Sequence, residues 1–145
     1  LIKSAMRYRH APARDASIAG LLGEVKVSPV RTSFVKLTGT VIGRGVPGLI
    51  WSEDFVLRDQ TGIIFLDYRQ PLPLWDFLFG LLRAGAYTGT SIEVCGWYRR
   101  APIPYLEIAT IRGSDDGVLR RCYTSWARRA CAFIVFCAGC ILLCL

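Results

Sequence analysis

The chain has 145 residues, a net charge of +7 and 52% hydrophobic residues, which suits one domain of ordinary size with an apolar tail. Residues 1–33 hold six Lys/Arg against two acids and 114–145 hold four against two, while 34–113 hold eight against seven. A protein that tracks phosphates concentrates charge on its folded domain, so this distribution argues against a nucleic-acid binder.

The sequence opens on Leu1, and its single methionine, Met6, lies in polar surroundings. It therefore reads as the start of a fragment, and nothing at this end resembles a secretory signal. Residues 1–30 form a basic segment containing Lys3, Arg7, Arg9 and Arg14. Within it, Ser17 before "IAGLLGEV" predicts a short helix with Ser17 as its N-cap, broken at Ser28-Pro29.

Residues 31–113 are patterned as strands. "SFVKLTGTVIG" sets Phe34, Lys36, Thr38 and Thr40 on one side and Val35, Leu37, Gly39 and Val41 on the other. "GRGVPG" (Gly43–Gly48) reads as a loop, "DFVLRD" as a second strand and "GIIFLDY" as a third. The short Asp59-Gln60-Thr61-Gly62 turn joins the last two as a hairpin. After Pro71 and Pro73, a helix over Leu72–Arg83 carries a narrow polar stripe of Asp76, Gly80 and Arg83, with Gly85 as its stop. Leu74, Trp75, Leu78, Leu81 and Leu82 are expected to lay this helix over one end or face of the sheet. "SIEVCGWYRR" and "PYLEIATIRG" supply two further strands, with a bulge expected at Gly96. Five strands with a helix between the third and fourth is the order of an oligonucleotide/oligosaccharide-binding (OB) barrel. The expected class is mainly β: an OB-like five-stranded small barrel followed by a C-terminal transmembrane helix.

Residues 114–129 read as a basic juxtamembrane linker, with Arg120, Arg121, Arg128 and Arg129 ahead of the apolar run. The run itself, Ala130–Leu145, is sixteen residues without a charge. A spanning helix takes ~20 residues and at least ~17, a limit the run approaches with Trp126 at its edge. It reads as a transmembrane segment, the plain alternative being a buried core helix. The arginines place the β domain on the cytoplasmic side, and Tyr123 and Trp126 sit where interfacial aromatics belong.

No catalytic constellation is legible, and neither a cofactor nor a metal site is expected. His10 is the single histidine, without an acidic neighbour in sequence. Glu53, Asp54, Asp59, Asp67, Asp76, Glu93 and Glu107 mostly fall at strand ends, where caps and solvated ion pairs explain them. Gly43–Gly48 leads into a strand rather than the helix that phosphate loops require. Four of the six cysteines, Cys131, Cys137, Cys140 and Cys144, lie in the apolar run, Cys122 just before it, and Cys95 in a strand. They read as small apolar residues rather than a redox or zinc site, which needs a thiolate. Trp97, Tyr98, Arg99, Arg100 and Tyr105 resemble a base-stacking platform with cations. Strand-forming aromatics, with arginines at a hairpin end or facing anionic head groups, account for them equally well.

Five phrases carry a family resemblance: "SPVR", "LTGTVIGRGVPG", "WSEDFVLRDQTG", "FLDYRQPLPLWDFLFGLLRA" and "VCGWYRRAPIPYLEI". Together, over about residues 25–112, they resemble the region after the peptidase domain in HtpX-like membrane zinc metallopeptidases of some archaea and bacteria. That resemblance implies a cytoplasmic-side accessory domain of a protease that degrades damaged membrane proteins. The family's H-E-x-x-H and downstream glutamate are absent from this sequence, so no catalytic or metal residue carries over. The expected function is thus a non-catalytic, membrane-attached accessory domain, partnered by the lipid bilayer and by a protease domain or its membrane substrates. The alternatives are a single-stranded nucleic-acid-binding OB domain and a structural membrane scaffold.

Overall fold

A computed structural model describes residues 6–8, 11–44, 55–68, 71, 87–100, 103–114 and 117–144. In chain order these form β1 (Arg14–Asp15), α1 (Ile18–Leu22), β2 (Ser33–Arg44), β3 (Phe55–Arg58), β4 (Ile63–Asp67), β5 (Ser91–Arg100), β6 (Pro104–Gly113), β7 (Leu119–Arg121) and α2 (Thr124–Cys144).

Five strands close on themselves in the order β2-β3-β4-β6-β5, with β5 returning to pair with β2. Every neighbouring pair in this ring is antiparallel except β4 with β6. Closure leaves none of the five with an open edge, the usual hazard of a sheet. Alternation along the strands fills the interior. Val35, Leu37 and Val41 of β2 point inward and are buried, joined by Phe55, Leu57, Ile64, Leu66, Ile92, Val94, Leu106, Ile108 and Ile111. Phe34, Lys36 and Thr38 are more exposed, as the pattern of "SFVKLTGTVIG" requires.

Two register shifts bend the sheet into a ring, one between Val41 and Gly43 and one between Cys95 and Gly96. At the second, β5 runs so close to β6 that a Cβ on Gly96 would press into the Glu107 carbonyl.

The N-terminal segment packs into the same core. Ser17 caps α1 by accepting from the Gly20 N–H at 3.2 Å, and the helix ends at Gly23, ahead of Ser28-Pro29. Ile18 and Leu21 are fully buried members of the barrel's cluster, and β1 adds in parallel to β2. The turn at Asp59 holds this helix from the other side. Its carboxylate accepts from Ile18 N–H at 2.8 Å, Thr61 N–H at 2.6 Å and Gly62 N–H at 2.9 Å.

Several expectations change. β2 continues through Arg44, into the stretch read as a glycine loop; 45–54 lie outside the described residues. So does the whole of the helix expected over Leu72–Arg83; Pro71, just before it, is described. The stretch read as a basic linker contains β7, paired to β6, and the first turns of α2. The expected transmembrane helix is corrected as well. Among the described residues no helix is long and apolar enough to cross a membrane. In α2 the reason is visible in the order of residues. Arg128 and Arg129 interrupt its first third, leaving Ala130–Cys144, about 22 Å of helix against a ~30 Å hydrocarbon layer.

Candidate functional site

The outside of the barrel carries an unusual row. Lateral register aligns Phe34, Trp97, Glu107 and Asp67 across β2, β5, β6 and β4. Outward positions on a barrel normally face water, yet Trp97, Glu107 and Asp67 are buried, and so is Arg99 two residues on. The N-terminal segment and the start of α2 cover Trp97, Arg99 and Glu107.

Tyr8 is the centre of this cover. Its ring stands edge-on to Trp97, with centroids 5.1 Å apart. Its hydroxyl donates to Glu107 Oε1 at 2.8 Å and accepts from Arg128 Nη1 at 2.5 Å. Its backbone carbonyl accepts from Arg129 Nη2. Beneath it, Arg99 donates through Nε to Glu107 Oε2 at 2.7 Å, with Nη2 also 2.7 Å from that oxygen. Arg99 Nη1 donates to the Pro29 carbonyl at 2.7 Å and Nη2 to that of Arg7 at 3.4 Å. Burial, and then the Glu107 carboxylate, push the Tyr8 phenol above its ordinary range, so it stays a neutral donor. The network joins three parts of the chain: the N-terminal segment, the barrel wall and α2.

Beyond Arg129, α2 changes character. Phe133, Ile134, Val135 and Phe136 are all exposed, Val135 at 71%. Four consecutive helical residues sweep all sides of the helix, so no single face of this stretch is packed on the barrel. Trp126, 70% exposed, and Tyr123 stand nearer the barrel end. The helix thus leaves the barrel with arginines at its root and apolar side chains around its shaft.

The sequence-derived platform does not form a surface. Trp97, Tyr98 and Arg99 are buried; of the five residues only Arg100 is exposed and Tyr105 partly so. Tyr98 points into the barrel core, whereas Trp97 and Arg99 point outward into the Tyr8 network. Elsewhere an open groove of about 640 Å³ lies between Ser17, Thr38, Arg58, Asp59 and Gln60. It is lined by one cation and no aromatic ring, which is poor provision for stacked bases. Among the described residues no group of three or more His, Cys, Asp or Glu could hold a metal ion, and His10 lies outside them. The thiol of Cys95 is pushed up by burial and so is less nucleophilic than a free one.

Glu107 and Tyr8 are the functional residues that strand patterning did not single out. Their signal was faint: an acid and an arginine on outward positions of two adjacent strands, beside an outward tryptophan.

No protein family's sequence model matches the chain, and no curated protein matches it in sequence. Among solved structures, the hypothetical protein ygiW from E. coli is similar at a TM-score of 0.46 and 14% identity, over 72% of this chain and 99% of that one.

Proposed function

We propose that the chain is a non-catalytic, OB-like barrel attached to a membrane by α2. The ring order, with its single parallel pair between the third and fifth barrel strands, supports the OB-like assignment. The observation that carries attachment is the exposed, apolar Phe133–Phe136 stretch beyond Arg128 and Arg129. A helix apolar on all sides is stable only in lipid or within a partner's core. The arginines at its root favour lipid, because cationic side chains gather at head-group level and hold the adjoining domain on the cytoplasmic side. At about 22 Å the apolar part penetrates most of the bilayer without needing to cross it.

The decisive experiment is flotation of the purified full chain with phosphatidylcholine vesicles. Wild type should float, and Ile134→Asp/Val135→Asp should remain with the soluble fraction. Wild type that stays behind would refute membrane attachment.

The partner is a separate matter. Service to an HtpX-like peptidase is supported by the sequence resemblance over about residues 25–112. Coexpression with the HtpX-like peptidase of the same organism tests it. Turnover of a membrane substrate should change when this chain is deleted, and unchanged turnover would remove the peptidase from the proposal.

A further inference from the structure

We propose that Arg7, Arg128 and Arg129 bind the phosphate of an anionic phospholipid head group, an inference that rests on membrane attachment by α2. Four guanidinium carbons, those of Arg7, Arg99, Arg128 and Arg129, lie 5.3–6.0 Å from the centre of the Tyr8 ring. Glu107 is the carboxylate that meets them, and it is committed to Arg99 at 2.7 Å, with Arg128 at 3.9 Å. Even with Asp67, its neighbour in the row, counted beside it, cations exceed anions by two among the described residues. Like charges this close repel in partly buried surroundings, and an added anion relieves that cost.

The donors are also incompletely used. The Nε atoms of Arg7 and Arg129 are buried and have no hydrogen-bond partner. A buried N–H without an acceptor is costly and marks the cluster as short of acceptors, while the partly exposed guanidinium of Arg128 presents the fork that matches the oxygens of a phosphate. A structural clamp between Tyr8 and α2 explains the bonds of Arg128 and Arg129 but not the presence of Arg7. Position selects the source of the phosphate. Arg128 and Arg129 immediately precede Ala130, where the apolar shaft begins, so an inserted helix sets them at the depth of lipid phosphates.

The test compares flotation on phosphatidylcholine vesicles with and without phosphatidylglycerol. Wild type should prefer the anionic vesicles, and Arg7→Gln/Arg128→Gln should lose about fivefold of that preference per cation. Lys26→Gln/Arg31→Gln removes the same charge from exposed positions outside the cluster and should keep most of it. Equal losses in the two pairs would reduce the effect to diffuse charge and overturn the site. Should the double variant fail to fold, Arg128→Gln alone gives the same reading, at a side chain 38% exposed. Wild type that floats on both vesicles without preference leaves the anchor standing and overturns the site. Wild type that floats on neither refutes the anchor. The site is then judged by thermal shift with monomeric dihexanoyl phosphatidylglycerol, and no shift overturns it. Glycerol phosphate at the same concentration should give no shift; an equal shift would assign the cluster to a soluble phosphate and overturn the lipid proposal.

Discussion

Arg99 reaches Glu107 diagonally across β5 and β6 with two nitrogens 2.7 Å from one carboxylate oxygen, on an outer barrel face that solvent does not reach. A fully buried guanidinium is tolerated only where its charge and donors are met. Glu107 meets the charge, and the carbonyls of Pro29 and Arg7 meet the remaining donors.

The two partners should therefore differ under substitution. Glu107→Ala strands Arg99 with carbonyls and no adjacent counter-ion, and should cost about 3–5 kcal/mol. Arg99→Met leaves Glu107 with the Tyr8 hydroxyl and the nearby Arg128, so its cost should be smaller. Urea denaturation of both singles and the double measures this. A double variant no better than the sum of the singles would mean that the pair is not coupled.

Tyr98 offers the opposite case. Its ring fills the barrel core, but its hydroxyl is buried and has no hydrogen-bond partner. Burial raises its ionisation range, consistent with an apolar setting. Tyr98→Phe removes an unsatisfied group and keeps the ring, so stability should hold or rise by about 1 kcal/mol. A loss larger than that would reveal a partner for the hydroxyl.

Asp59 links stability to pH. Burial alone would raise its carboxyl, but the Ile18 N–H, the Thr61 hydroxyl and N–H and the Gly62 N–H outweigh it and lower the value. A carboxylate lowered on folding contributes stability that is complete above its unfolded value, ~3.9, and is lost as pH falls through the folded one. Asp59→Asn should flatten the acid limb of a stability–pH curve below about pH 4 and lower stability at neutral pH. An unchanged acid limb would remove Asp59 from the account of acid sensitivity.

These residues show how far sequence reached. The barrel strands were legible because one face is buried, so alternation in "SFVKLTGTVIG" and the Asp59–Gly62 turn had direct structural consequences. The bulge at Gly96 was legible for a related reason, since only a residue without a Cβ admits β6 so closely. The Tyr8 network was not. Tyr8 and Glu107 are 99 positions apart, and Arg128 and Tyr8 are 120 apart. Outward charges on a strand read as solvated unless something distant covers them. In sequence the arginines before Ala130 stand out only as flanking charge, whereas in the fold Arg128 and Arg129 also hold α2 to the barrel.

That double use of Arg128 and Arg129 fixes the last prediction, the orientation at the membrane. The bonds to Tyr8 tie the root of α2 to the barrel, so the barrel must stay on the side from which the helix enters. Arg120 and Arg121 add two cations on β7, close before the apolar shaft. Positive flanks are retained in the cytoplasm, so the barrel should lie there. An epitope inserted at Gly89, an exposed turn residue with φ of 85°, reports the side without disturbing the network. In cells the antibody should reach it only after permeabilisation of the membrane. Labelling of intact spheroplasts would place the barrel outside and reverse the assigned orientation.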